Sequence, residues 1–142
     1  VQIISWKGRC EVHERFTAKE ILAYKEQHEN IIVLAHPECS PEVVEVSDFT
    51  GSTAGMSNYV KDKQPEKVIM VTECSMSDNV AIENPNVEFI RPCNLCAHMK
   101  RITLKKIYDA LRFDQYEINV DDQIIDKARL SIDRMLEIGR QK

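Results

Sequence analysis

Ile31-Ile32-Val33-Leu34-Ala35 is an unbroken apolar run that stops abruptly at His36-Pro37-Glu38-Cys39. β-Branched residues dominate it, and continuous apolarity without alternation suits a strand covered on both faces, as in a parallel sheet. Pro37 has no N–H to give to a ladder, so the strand ends there. His36, Glu38 and Cys39 therefore fall at the carboxyl end of a central strand, where open α/β sheets bind their ligands. Ser40-Pro41-Glu42 reads as a helix start, with Ser40 as N-cap and proline at the first helical position.

The remaining segments repeat this alternation. Val1–Ser5 reads as a short strand and Trp6-Lys7-Gly8-Arg9-Cys10 as a turn. Thr17 with Glu20 forms a capping box for a helix to about His28, with Ile21, Leu22 and Tyr24 turned inward. After the central strand comes a helix with Val43, Val44 and Val46 on its inner side, then a short extended piece at Ser47–Phe49. Gly51 gives Thr50-Gly51-Ser52-Thr53 the freedom of a tight turn, and Ser52 or Thr53 caps a helix over about Ala54 to Lys63. Glu66–Glu73 is a second buried strand, Ser77–Ile82 a short helix and Val87–Ile90 a third strand. This order predicts an α/β fold, a three-layer α/β/α domain with a parallel sheet. Beyond Pro92 the character changes. Cys93–Cys96 is a loop, and a helix from Thr103 to about Arg112 carries Leu104, Ile107 and Leu111 on one stripe. Tyr116–Val120 alternates like a half-exposed strand. A last helix to about Gly139 turns Ile124, Ala128, Ile132, Met135 and Leu136 inward.

The 142 residues suffice for one real core, and their formal charge of −4 offers no basic stripe for nucleic acid. No apolar run approaches the ~18–20 residues that span a membrane. The chain begins at Val1 rather than methionine, which is expected of a segment of a longer protein. Five cysteines, odd in number and irregular outside Cys93-Asn94-Leu95-Cys96, do not look like a disulfide framework. A reducing cytoplasm, with metal or catalytic work for some of them, fits better.

Several groups can carry chemistry. His36 and Glu38 are an acid/base pair in one crevice, or else a capped strand end with a solvated carboxylate. Thr50–Thr53 is a seat for a carboxylate or phosphate at a helix start, or an ordinary N-cap. It has neither a Walker lysine nor a G-x-G-x-x-G, so nucleotide binding is unsupported. Cys93 and Cys96 form a C-x-x-C without the second pair that a zinc site takes. An Fe–S cluster held by cysteines from separate loops is compatible with Cys10 and Cys96. His13 follows Cys10 by three residues, so both can face the crevice. Cys39 and Cys74 read as small buried hydrophobes.

Taken together, Trp6-x-Gly8-x-Cys10-x-Val12-His13, His36-Pro37-Glu38-Cys39, Gly51-Ser52-Thr53 and Cys96-x-x-Met99-Lys100 resemble the quinolinate synthase family in order and spacing. The resemblance covers essentially the whole chain. It implies three pseudo-symmetric α/β domains with the active site at their junction. Residues 1–12 would be the tail of the second domain, 13–93 the third, and 94–142 a segment that returns to complete the first. It implies condensation of iminoaspartate with dihydroxyacetone phosphate to quinolinate, with L-aspartate oxidase as supplier of iminoaspartate. It also implies a 4Fe–4S cluster held by Cys10, Cys96 and a third cysteine outside this chain, with one iron left open, while Cys93 is an extra cysteine and no ligand. Glu38 and His36 would be catalytic. His36, Pro37, Glu38, Ser52, Thr53 and His13 would line the substrate site. Without the earlier domains the isolated chain should be inactive. Two other readings stand beside this one: a non-catalytic α/β anion-binding module, and a zinc or thiol redox domain built on Cys93 and Cys96.

Overall fold

A computed structural model describes Gln2, Ile4 and residues 6–139; the strand expected over Val1–Ser5 includes Val1, Ile3 and Ser5, which lie outside the described residues. The chain forms two compact units, one ending at Arg101 and the other beginning at Ile102.

The first unit is built on a four-stranded, all-parallel sheet. Its elements run α1 (Ala18–Gln27), β1 (Ile31–Ala35), α2 (Pro41–Glu45), β2 (Phe49–Thr50), α3 (Thr53–Lys63), β3 (Lys67–Val71), α4 (Cys74–Glu83) and β4 (Glu88–Ile90). The strand order is β2-β1-β3-β4. β1 and β3 pair from Ile31 opposite Lys67 to Ala35 opposite Val71. The chain moves from β1 to β2 on one side, then crosses back to β3 on the other, so the direction of winding reverses between β1 and β3. Such a reversal opens a crevice beyond the carboxyl ends of the two strands.

The alternation of side chains along β1 and β3 divides the core in two. Ile31, Val33, Ala35, Ile69 and Val71 face one way and pack with Phe16, Ile21, Cys39 and Val43. Leu34, Val68 and Met70 face the other way and pack with Met56, Val60, Val80 and Val87. Helices thus cover both faces, giving the three-layer α/β/α arrangement.

Local chemistry sets the helix ends. Thr17 and Glu20 form the expected capping box, each side chain meeting the other's backbone N–H. Ser52 caps α3 by accepting from the Gly55 N–H at 3.1 Å. Ser40 holds the N-cap position of α2 but makes no side-chain cap bond. Leu22 is exposed rather than inward, because Ile21 and the half-buried Tyr24, three residues on, already define the core face of α1. The helix expected over Ser77–Ile82 starts earlier, at Cys74, where the Glu73 carboxylate accepts from the Ser75 N–H. Gly51 is glycine for space rather than for a left-handed turn. Its φ is not positive, and a Cβ there would stand 2.7 Å from the Phe49 ring.

In the second unit, α5 (Leu104–Phe113) is capped by Thr103, whose side chain accepts from the Lys106 N–H at 3.2 Å, and α6 (Asp122–Gly139) follows. Tyr116–Val120 is not a strand. Alternation favours a strand only where a sheet edge is at hand, and Tyr116 takes a left-handed φ of 67° that breaks the extended run. The inward stripes expected on both helices are exposed, including Leu104 and Leu111 on α5 and Ile124, Ile132, Met135 and Leu136 on α6. Among the described residues no helix is long and apolar enough to cross a membrane.

Candidate functional site

The reversal point between β1 and β3 holds a cavity of about 320 Å³. Its wall includes Cys10, His13, His36, Glu38, Thr53 and Cys96, side chains that lie up to 86 residues apart in sequence. His36 extends β1 by one ladder bond, its N–H donating to the Val71 carbonyl at 3.3 Å. Pro37 then turns the chain, and the Glu38 N–H donates to His36 Nδ1 at 3.3 Å, which leaves the His36 proton on Nε2. His13 arrives from a 3₁₀ turn over His13–Arg15, whose entry is fixed by the Glu14 N–H donating to the Cys10 carbonyl.

The two imidazoles stack, with centroids 4.5 Å apart and planes 10° from parallel. Glu38 reaches both, its Oε2 lying 3.0 Å from His13 Nδ1 and 3.6 Å from His36 Nδ1. His13 is buried, with its Nε2 3.0 Å from the hydroxyl of buried Thr72. Its Nδ1 is buried and faces the Glu38 carboxylate. Burial, reinforced by the neighbouring His36, holds the His13 pKa below the ordinary histidine value against the pull of Glu38. At neutral pH the ring is an uncharged proton acceptor or ligand.

Sulfur chemistry divides cleanly. Cys74 and Cys93 form a disulfide, with Cα atoms 5.1 Å apart, so Cys74 is not the plain buried hydrophobe expected and the chain is not free of disulfides. The pairing brings a strand end next to a loop nineteen residues away, which spacing along the chain does not reveal. It also removes the Cys93–Cys96 dithiol on which the zinc or redox reading depended. Cys10, Cys39 and Cys96 are free. Cys39 is buried and gives its thiol to the Val71 carbonyl at 3.4 Å. Cys10 and Cys96 are partly exposed, and Cys96 Sγ accepts from the Met99 N–H at 3.4 Å. One ligand atom from each of Cys10, His13 and Glu38 lies within 4.8 Å of the others, so this corner has the donors for a metal.

Two residues singled out from the sequence stand apart from this cavity. Pro37 lines an adjoining hollow with Trp6 and Arg9 that shares Cys10 and Glu38 with this cavity, and Ser52 has its hydroxyl engaged in capping α3. Conversely, Thr72, Glu73, Ser75, Met76 and Asn79 line the cavity without having been singled out. Thr72 and Glu73 end the second buried strand as His36 and Glu38 end the first. The signal that marked His36 was therefore present at Thr72 as well. Lys100 bonds the Ser75 hydroxyl and lies 3.6 Å from the Glu73 carboxylate, tying the Cys96 segment to the start of α4.

The family described as Quinolinate synthetase A protein matches residues 1–137. The chain belongs to this family. It is 58% identical over 137 residues to the quinolinate synthase of Sinorhizobium fredii, covering 96% of this chain and 38% of that relative. To the quinolinate synthase of Xylella fastidiosa it is 59% identical over 138 residues, covering 97% of this chain and 41% of the relative. To that of Caulobacter vibrioides it is 53% identical over 138 residues, covering 97% and 38%. The chain thus spans about two fifths of the length of the curated quinolinate synthases it matches. These relatives are enzymes by name, and the chain corresponds to part of one.

Proposed function

We propose that this chain is the carboxy-terminal portion of a quinolinate synthase, condensing iminoaspartate with dihydroxyacetone phosphate to give quinolinate, phosphate and two waters. One observation carries the reading. Cys10 and Cys96, distant in sequence, are both free thiols on the wall of the cavity that holds His13, His36 and Glu38.

Those two cysteines suit an iron–sulfur cluster, which takes thiolate ligands. Both are partly exposed, and neither is spent in a disulfide. We assign them as two ligands of a 4Fe–4S cluster whose third cysteine lies outside this chain. Such a cluster supplies an iron with an open position, a Lewis acid suited to a reaction that expels water.

The remaining work falls to the chain's own side chains. Glu38 is the acid/base residue of the condensation and ring closure, and its nearness to both imidazoles gives a proton taken up there a short way off. His36 shares that role and contacts substrate. His13 forms the buried polar wall behind it. Ser52 and Thr53, at the start of α3, seat a substrate carboxylate or phosphate, and Pro37 shapes the approach. Residues 1–12 belong to the second domain, 13–93 form the third, and 94–142 return to the first. L-aspartate oxidase is the supplier of iminoaspartate, and the reaction belongs in the cytoplasm, where such metabolites are made.

The test is anaerobic. The amino-terminal part is restored, the protein is reconstituted with iron and sulfide, and product is assayed from the two substrates. The expected result is about four irons per chain with quinolinate formed. Cys10→Ser and Cys96→Ser should each lose the cluster, whereas Cys93→Ser should keep it. Iron lost through Cys93→Ser alone would overturn the ligand assignment. An intact fold that binds anions but no iron would make this a non-catalytic anion-binding module.

A further inference from the structure

We propose that Thr72 is a positioning residue for the acid/base pair: its buried hydroxyl holds the His13 ring, and through that ring the Glu38 carboxylate, in working geometry. The proposal rests on the assignment of Glu38 as the acid/base residue and names what keeps it in place. The juxtaposition behind it is a hydroxyl on a residue 3% exposed, standing 3.0 Å from Nε2 of an imidazole 6% exposed. The two residues lie 59 positions apart in the chain.

Glu38 needs such a hold. Its side chain is 57% exposed, and a long carboxylate side chain in water samples many rotamers. Its Oε2 meets two imidazoles, His13 Nδ1 at 3.0 Å and His36 Nδ1 at 3.6 Å. His36 is fixed by its own backbone, whose N–H donates to the Val71 carbonyl. His13 comes instead from a three-residue 3₁₀ turn outside the sheet, and the last torsion of a histidine side chain has broad minima. Stacking on His36 sets the plane of the His13 ring. A half-turn about the Cβ–Cγ bond keeps that plane, yet it swaps Nδ1 for a ring carbon in front of Glu38. The bond from Nε2 to Thr72 is what this flip would break.

Thr72 is suited to the task. It directly follows β3, next to Val71, whose carbonyl takes both the His36 N–H and the Cys39 thiol. Consecutive residues of one strand end therefore fix both histidines, one through the backbone and one through a side chain. Threonine is β-branched and stiff at χ1. Its hydroxyl both donates and accepts, so it serves the ring in either tautomer and also when both nitrogens carry protons. A proton that reaches or leaves Nδ1 during turnover thus leaves the bond to Thr72 in place. Neither cluster-ligand sulfur takes part, so the arrangement coexists with a bound cluster.

The test uses the complete enzyme carrying its cluster. Thr72→Val keeps the shape of the side chain and removes the hydroxyl. It should lower kcat ~10–100-fold with KM within ~3-fold of the parent, and with iron per chain and the visible spectrum unchanged. Thr72→Ser, which returns the hydroxyl, should recover turnover to within ~3-fold of the parent. In a Glu38→Gln background, Thr72→Val should cost less than ~3-fold more, because residues that act as one unit are not additive. A general loosening of the fold would instead multiply the two losses. Parent-like turnover in Thr72→Val, iron lost from it, Thr72→Ser as slow as the valine variant, or fully multiplied losses would each overturn the proposal while leaving Glu38 in its role. Parent-like turnover in Glu38→Gln would overturn that role and the proposal with it.

Discussion

Cys39 is the buried member of the three free cysteines, and its setting makes it chemically inert. Burial pushes its thiol up from 9.0 to about 11. The folded state then keeps a proton that the unfolded state has lost, so stability is intact below pH 9.0 and falls as the pH rises toward about 11. In the cluster-free protein at roughly pH 8, iodoacetamide should label Cys10 and Cys96 and spare Cys39, because the thiolate is the reactive form. Peptide mapping of the alkylated protein checks this, and labelling of Cys39 in the folded state would contradict its burial. Glu38 calls for a different measurement. In the complete enzyme Glu38→Gln should keep the cluster and lower turnover by ~10²-fold or more, the usual loss when a general acid or base is removed. Near-normal turnover would take Glu38 out of the chemistry.

At the level of elements, β1 and β3 carry the fold, and substitutions should show it. Leu34 is fully buried in the layer under α3 and α4, so Leu34→Ala should cost ~2–5 kcal/mol in urea unfolding. Leu22→Ala, on the exposed side of α1, should stay within ~0.5 kcal/mol. The same contrast marks what was legible in the sequence. The Ile31–Ala35 run and the Thr17/Glu20 box are local signals, and both elements formed where those signals lay. The position of His36 at a strand end was legible for the same reason. Leu22 was misread because it sits beside Ile21 in sequence but a wide turn away around the helix. Tyr116–Val120 was misread because a strand needs a neighbouring edge, which lies outside any local pattern. Thr72 carried the same strand-end signal as His36, whereas the Cys74–Cys93 bond emerges only once β3 and β4 are set side by side.

At the scale of the whole molecule, the second unit displays the apolar stripes of α5 and α6 on its surface. If residues 94–142 complete a domain begun outside this chain, those stripes are a core awaiting its other half. The chain alone should bind an apolar dye such as ANS strongly, and restoring the amino-terminal part should reduce the signal. Equal binding in both would separate α5 and α6 from that role. The bond between Cys74 and Cys93 has a further consequence. It closes a ring around α4 and the edge strand β4, and Cys96 stands three residues beyond the closure. In the chain-entropy view a ring of this size is worth about 3 kcal/mol to the folded state. Its effect on motion is more specific, because it fuses a helix, a strand and a loop into one cooperative opening unit. Amide protons across residues 74–93 should exchange together while the bond is intact, and as separate groups after reduction, when the Glu73–Asn94 bridge and the Lys100 contacts to Ser75 and Glu73 tie this loop to the end of β3. The oxidation state of one sulfur pair thereby sets how long the Cys96 thiol stays within reach of its partners across the crevice.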